Sequence, residues 1–167
     1  TGLVTDIKYK PSGRTESVSV AGEKTDFAYN ANGRRTYVKD PSGRAATQNF
    51  DPFGLLQTES AGGATTTYVY NETTRLLAEV RAPGGRCVVY HRDEWGRVDS
   101  VTDPKGNSVV YHFDVFDRVE QLDYPDGEHE TYEYYGSGDV KKHTDRAGRA
   151  TEFVYDGSGR LVFRKFY

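Results

Sequence analysis

Tyr155-Asp156-Gly157-Ser158-Gly159-Arg160-Leu161 decides how this chain is read. It runs aromatic, Asp, two small residues, Gly, Arg, apolar. Versions of it return about every twenty-one residues toward the N-terminus. They are Tyr134-Tyr135-Gly136-Ser137-Gly138, Phe113-Asp114-Val115-Phe116-Asp117-Arg118, Arg92-Asp93-Glu94-Trp95-Gly96-Arg97 and Tyr70-Asn71-Glu72-Thr73-Thr74-Arg75. Further back stand Phe50-Asp51-Pro52-Phe53-Gly54, Tyr29-Asn30-Ala31-Asn32-Gly33-Arg34 and Tyr9-Lys10-Pro11-Ser12-Gly13-Arg14. A fixed period of this length marks a repeat array, in which each unit buries its surface against its neighbours.

A second column of turn residues falls between these. It reads Ser19-Val20-Ala21-Gly22, Asp40-Pro41-Ser42-Gly43, Ser60-Ala61-Gly62-Gly63, Ala82-Pro83-Gly84-Gly85, Asp103-Pro104-Lys105-Gly106, Tyr124-Pro125-Asp126-Gly127 and Asp145-Arg146-Ala147-Gly148. Asp at the first position of a type I turn accepts a backbone hydrogen bond, Pro presets φ at the second, and Gly takes the last or left-handed position. The chain is therefore expected to reverse about every ten residues. Connections that short force neighbouring strands to be antiparallel.

The runs between turns are rich in Val, Thr, Tyr and Phe, as strands are. Thr65–Tyr70, Val88–His91 and Val109–Phe113 are examples. Residues 1–8 read as the tail of a preceding strand. Aromatics two apart precede each leading turn: Phe27/Tyr29, Tyr68/Tyr70, Tyr111/Phe113, Tyr132/Tyr134 and Phe153/Tyr155. A period of two puts each pair on one face, which is expected to be buried. Ala28, Asn49, Val69, His91, His112, Glu133 and Val154 mark a wetter opposite face.

Strands leaving the turn are less regular. Leu56, Leu76, Val98, Val119, Val140 and Leu161 are apolar, and Val18, Val38, Val101 and Leu122 follow on a step of three. A flat strand does not accommodate that step; a β-bulge would. Leu76–Arg81 is the best helical candidate, but the repeat register overrules it. The expected fold is all-β: about eight hairpin repeats of about twenty-one residues over residues 1–167, one long antiparallel sheet that curls because strands twist.

Bulk properties agree with a thin, aromatic structure. Of 167 residues 35% are hydrophobic and 13% aromatic, with 13 Tyr and 8 Phe. Mean hydropathy is −0.77. A net charge of −3 gives no support to a nucleic-acid or anionic-membrane partner. No apolar run is long enough to span a bilayer. Cys87 is the single cysteine, which excludes an internal disulfide. The chain has no Met, even at position 1, and is expected to be a piece of something longer.

The leading motif resembles the YD repeat of the Rhs family. Tyr155–Leu161 matches it in full, and Asp93–Val98 matches it apart from the lead aromatic. Departures are Arg92 for the aromatic, Thr74 and Asp117 for Gly, and Leu55 and Asp139 for Arg. The resemblance implies hairpins laid side by side into a strip that spirals into a hollow shell or barrel. It also implies a role: in bacterial polymorphic toxins and Tc-toxin cocoons such a shell encloses a C-terminal toxic domain, and in teneurins a similar barrel supports adhesion. On that basis this chain would be a wall segment of a secreted or cell-surface protein, partnered by the rest of its shell and by an enclosed toxin. Asp51-Pro52-Phe53-Gly54-Leu55 carries the letters of the family's self-cleavage motif, but it stands in register with ordinary leading turns.

The residues expected to shape the repeat are Tyr29, Tyr70, Tyr134 and Tyr155 at the lead, with Asp156 behind the last. Gly33, Gly54, Gly96, Gly138 and Gly159 belong to the leading turns, and Arg34, Arg97, Arg118 and Arg160 close them. Gly43, Gly63, Gly85, Gly106, Gly127 and Gly148 belong to the second column. The Arg column reads either as a polyanion ladder or, the favoured reading, as a structural set that pairs with acidic turn residues or stacks on the Tyr column.

No catalytic, cofactor-binding or metal site is expected. His91 and His112 share a repeat position, and equivalent positions on alternate strands lie about 10 Å apart, too wide for two ligands on one zinc. An acid–base pair needs a pocket and unequal environments, which the turn carboxylates do not suggest. Gly157-Ser158-Gly159 leads into a strand and so lacks the helix N-terminus of a phosphate cradle. Asn71-Glu72-Thr73 is a glycosylation sequon in a turn. A module that binds a glycan or a protein is the rival to the shell wall; an enzyme ranks last. Self-association through open sheet edges or an uncovered aromatic face is expected for the isolated chain.

Overall fold

The computed structural model describes residues 3–167. The described residues are strands and turns with no helix, in two compact units that meet in sequence at Cys87 and Val88. In the first, β1 (Thr5–Tyr9), β2 (Thr15–Val20), β3 (Glu23–Tyr29), β4 (Arg35–Lys39), β5 (Ala45–Phe50), β6 (Leu56–Ala61), β7 (Ala64–Tyr70) and β8 (Leu77–Ala82) pair antiparallel in chain order. The second holds most of β9 (Arg86–Arg92), then β10 (Val98–Thr102), β11 (Ser108–Phe113), β12 (Val119–Asp123), β13 (His129–Tyr134), β14 (Val140–Thr144), β15 (Ala150–Tyr155) and β16 (Leu161–Phe166), paired in the same way. The strand expected over residues 1–8 is β1; Thr1 and Gly2 lie outside the described residues. The helical candidate at Leu76–Arg81 is strand β8, because its flanking turns fix the pairing.

Seven leading turns close identically. In the last, the Gly159 N–H donates to the Asp156 carbonyl at 2.9 Å and the Asp156 N–H to the Arg160 carbonyl at 2.9 Å. Gly159 has φ +75°. This is a type I turn followed by a left-handed residue, the geometry that lets a short hairpin keep its twist. The eighth, at Asn71, is one residue longer: Arg75 N–H bonds the Asn71 carbonyl, and the Asn71 N–H reaches the Leu76 carbonyl. The apolar exit position therefore falls on Leu77, which pairs with Tyr70, and not on Leu76. Arg75 itself, at φ +61°, takes the left-handed position.

The second column divides. Turns at Asp40, Asp103, Tyr124 and Asp145 repeat the leading-turn bonding. Gly62-Gly63 joins Ala61 to Ala64 as a two-residue turn, and Ala21-Gly22 joins Val20 to Glu23. Both residues of each have positive φ, as a two-residue hairpin turn of this hand demands. Those two members thus differ from the type I turns expected of the column.

Every leading hairpin carries a register shift. Phe113 pairs with Val119 and His112 with Gln121, so Glu120 has no opposite number. Asp99, Lys141, Thr36 and Gln57 are skipped in the same way. Six second-column hairpins, at Ala21, Asp40, Gly62, Asp103, Tyr124 and Asp145, pair without a shift. The bulge accounts for the step of three: Val119 faces Phe113 and Leu122 faces Tyr111, on one side of the sheet.

The two faces of the second unit follow from this register. One carries Tyr90, Val101, Val109, Tyr111, Leu122, Tyr132 and Phe153. The other carries His91, Ser100, His112, Gln121, Thr131, Glu133 and Lys142. His91, His112 and Glu133 are exposed. The aromatic face, expected to be buried, is only half-buried, and no apolar side chain among the described residues is fully buried. The reason is physical: each ring packs against neighbours in its own layer and meets no second layer from above. Cohesion must then come from contacts between adjacent hairpins.

The clasp between repeats as candidate functional site

Four leading turns, at Asp51, Asp93, Asp114 and Asp156, are built on an Asp. Asp114 Oδ1 accepts the N–H groups of Phe116 (2.8 Å) and Arg118 (3.0 Å), and Oδ2 accepts Arg118 Nε at 2.7 Å. Asp93 holds Trp95, Arg97 and the Arg97 side chain alike, and Asp156 does so with Ser158 and Arg160. Asp40–Arg44 and Asp145–Arg149 repeat the side-chain pair in the second column. A short carboxylate here satisfies turn donors and aims an arginine at once.

These bonds lower the carboxyl pKa values. The Arg118 side chain does so for Asp114, the Arg149 side chain for Asp145, and the Arg160 backbone and side chain for Asp156. Asp40 is lowered to about 2, chiefly by the Ser42 hydroxyl. Burial works against Asp93, but the bonds from Arg97 outweigh it and leave it below the ordinary value.

The aimed arginine reaches the next repeat. Arg97 lies 4.3 Å from the ring centroid of Phe113, and Arg118 lies 4.4 Å from that of Tyr134. In the first unit Arg14 lies over Tyr29 at 6.0 Å and Arg34 over Phe50 at 5.4 Å. Arg34 also donates to the Gly54 carbonyl, Arg97 pairs with Asp117, and Arg118 donates to the Tyr135 carbonyl at 3.2 Å. The next repeat reaches back. The Tyr134 hydroxyl donates to the Val119 carbonyl at 2.6 Å, and Tyr70 to the Leu56 carbonyl at 3.0 Å.

Arg75 breaks the direction. It lies 4.1 Å from the Phe53 centroid and 3.9 Å from Asp51, so it points to the preceding repeat. The longer turn puts its Cα in the left-handed position and swings the side chain. Asp51-Pro52-Phe53-Gly54 closes like the other leading turns, with Gly54 N–H on the Asp51 carbonyl at 2.9 Å and Leu55 N–H on Asp51 Oδ1 at 2.8 Å.

Of the turn and repeat positions, Gly33, Gly43, Gly54, Gly63, Gly85, Gly96, Gly106, Gly127, Gly138, Gly148 and Gly159 all have φ between +75° and +95°. Arg34, Arg97 and Arg118 make the forward contacts just given. Arg160 is held by Asp156 and is largely exposed. Tyr155 meets Tyr135 edge-on at 6.2 Å.

Two features were not singled out in the sequence. One is a second clasp through the other column: Arg146 pairs with Asp126 and lies 4.2 Å over the Tyr124 ring. The other is a set of rings at the third position of leading turns. Phe53, Trp95 and Phe116 are 70%, 72% and 73% exposed. Their shared place within the repeat was a signal available in the sequence.

Other polar groups are engaged locally. His112 bonds Asp123 at 2.6 Å. His143 stacks on Tyr132 at 4.6 Å and faces Glu130, which also accepts the Tyr132 hydroxyl. Burial, then that bond, pushes the Tyr132 phenol up to about 12. A hollow of about 850 Å³ beside these residues is lined by Glu130, Asp145, Arg146 and Arg149; Asp145 pairs with Arg149, Arg146 with Asp126, and Glu130 accepts the Tyr132 hydroxyl. Among the described residues no three His, Cys, Asp or Glu side chains are grouped to hold a metal, and no helix is long and apolar enough to cross a membrane.

A clasp repeated along successive hairpins defines a β-hairpin repeat protein. Residues 92–129 and 134–162 match the family model described as RHS Repeat, in agreement with the resemblance that the leading motif carries. A comparison with curated proteins finds no match. Among solved structures, the crystal structure of TcdB2-TccC3 without its hypervariable C-terminal region is similar, with a TM-score of 0.73 at 15% identity over 96% of this chain and 10% of that one. TcdB2-TccC3 aligns with a TM-score of 0.70 at 16% identity, over 96% and 10%. A Photorhabdus luminescens Tc holotoxin pore aligns at 0.52 and 14% identity, over 97% and 11%. The likeness is one of fold, and this chain spans about a tenth of the length of those chains.

Proposed function

We propose that this chain is a stretch of wall in a hollow RHS-repeat shell that encloses and helps deliver a C-terminal toxin domain outside the cell that makes it. The observation that carries this reading is the repeat-to-repeat clasp in a sheet with no fully buried apolar side chain among the described residues. A structure held together only by nearest neighbours extends by adding repeats, and its two faces stay available for different surroundings. The polar face, with His91, His112 and Glu133, suits solvent; the half-buried aromatic face suits the inside of a curl. The wall's work is exclusion, keeping water and proteases from a cargo, and it asks no catalysis of these residues.

The test uses the parent protein at its full length. Its sequence beyond this array is expected to end in a domain unrelated to the repeats, and limited proteolysis is expected to spare that domain until the shell is denatured. A parent with no such domain, or one digested as fast in the intact protein as when expressed alone, would overturn the reading.

A further inference from the structure

The aromatic column of the sheet is interrupted at one strand. From β3 onward, strands that enter a leading turn carry a ring two residues before the lead position: Phe27, Tyr68, Tyr90, Tyr111, Tyr132 and Phe153. On β5 that place belongs to Gln48. Its cross-strand partner is changed as well. Gln48 pairs with Glu59, where Phe27 pairs with Val38, Tyr68 with Val80 and Tyr111 with Leu122. Neighbours on the same face are small, since Ala46 pairs with Ala61 and Ala61 with Ala64.

A ring and a branched side chain are thus missing from one spot. A hollow of about 340 Å³ stands there, lined among others by Gln48, Glu59, Arg35 and these three alanines. Clefts that hold small molecules start at this size, roughly 300–1,000 Å³. All of its lining residues belong to the first unit. Phe27 and Tyr68 flank it, each two strands away from β5, so about 10 Å to either side. The space between them is the width the absent ring would have filled.

The hollow also holds a fixed acceptor. The Tyr68 hydroxyl donates to Glu59 Oε1 at 2.6 Å. That bond orients the carboxylate before any ligand arrives and leaves Oε2 to accept a second donor. Glu59 and Arg35 balance in charge, which suits a neutral ligand.

We infer that this hollow binds a small neutral heteroaromatic with a ring N–H, of the indole class. The ring takes the place of the side chain missing at Gln48, and its N–H donates to Glu59. The site lies within the first unit and does not depend on what the wall encloses.

The test is an NMR titration of the full chain, with isotope-labelled alanine methyl groups, against indole. Saturable shifts are expected at Ala46, Ala61 and Ala64 and none at Ala147 in the second unit. Benzofuran, which has oxygen in place of the N–H, should bind roughly tenfold more weakly, a difference of about 1.4 kcal/mol. Gln48→Tyr restores the ring and should abolish the shifts while keeping or raising the melting temperature. The benzofuran comparison needs no variant and decides the matter even if Gln48→Tyr folds poorly. No saturable shift in the wild type, benzofuran binding as tightly as indole, or unchanged affinity in a folded Gln48→Tyr would each overturn the proposal. Binding of the peptide Gly-Trp-Gly without binding of indole would overturn it too and assign the hollow to a protein side chain.

Discussion

Arg118 holds its guanidinium 4.4 Å from the ring centroid of Tyr134, and the Tyr134 hydroxyl returns to the carbonyl of Val119, the residue next to Arg118. The contact is reciprocal, so these two hairpins fix each other from both sides. It explains why aromatic, Asp, Gly and Arg recur together. The Asp aims the Arg, the Gly closes the turn, and the aromatic of the following repeat receives the Arg.

The two halves of that clasp should be coupled. Tyr134→Phe removes one hydrogen bond and is expected to cost about 1 kcal/mol. Arg118→Ala loses a cation–π contact of about 0.5–1 kcal/mol in addition to its pair with Asp114. In a double-mutant cycle with Tyr134→Leu, urea denaturation should show an interaction energy of about 0.5–1 kcal/mol. Strict additivity would mean that the contact contributes nothing.

Asp117 occupies a left-handed position, φ +63°, where six of the other leading turns have Gly. Asp117→Gly relieves roughly 1 kcal/mol of backbone strain and gives up an ion pair whose carboxylate is 78% exposed and so worth little. A net gain in stability of a few tenths of a kcal/mol or more is expected from thermal melts. Gly138→Ala, at φ +95°, should do the reverse and lower the melting temperature.

Acid should loosen the turns. Asp114, Asp145 and Asp156 have folded pKa values below their ordinary one because arginines bond the charged form. For a depressed carboxylate, stability is fully present above the unfolded value near 4 and is lost as pH falls through the folded value. Asp40, at about 2, sets the low end. The melting temperature should therefore hold from pH 7 to about 5 and fall progressively between roughly pH 4 and pH 2, with a shallower fall in Asp114→Asn. A flat profile down to pH 2.5 would contradict this.

The bulges set which face each outgoing strand presents. Deleting Glu120 brings Val119 and Gln121 together, and a one-residue slip sends one side of β12 to the opposite face. Either Val119 or Leu122 must leave the aromatic side. The loss should be on the order of 1 kcal/mol for one half-buried apolar side chain, with hydrogen-exchange protection falling in β11 to β13 first. Glu120→Ala, which keeps the extra residue, should be close to neutral.

Much of this was legible in the residues. Turn spacing set the strand alternation, and the step from Val119 to Leu122 already required an irregularity, which the structure shows as a bulge at each leading hairpin. The helical pattern at Leu76–Arg81 yielded to the register, since a strand between two hairpin turns has no freedom to wind. Sequence misplaced the apolar exit at Leu76, because one added turn residue shifts every later pairing by one. It also expected the aromatic face to be buried, and the tips Phe53, Trp95 and Phe116 passed as turn filler.

By itself the sequence determined where the chain reverses, which residues alternate in and out, and that the array is built of one repeated hairpin. Those properties depend on φ preferences and on a two-residue period, both local. Tertiary structure alone decided that Arg97 and Arg118 reach forward while Arg75 reaches back, and that the rings of the sheet remain half in water. A side chain's partner about twenty residues away, and whether a second layer covers a face, depend on how neighbouring strands are stacked, which no local preference encodes.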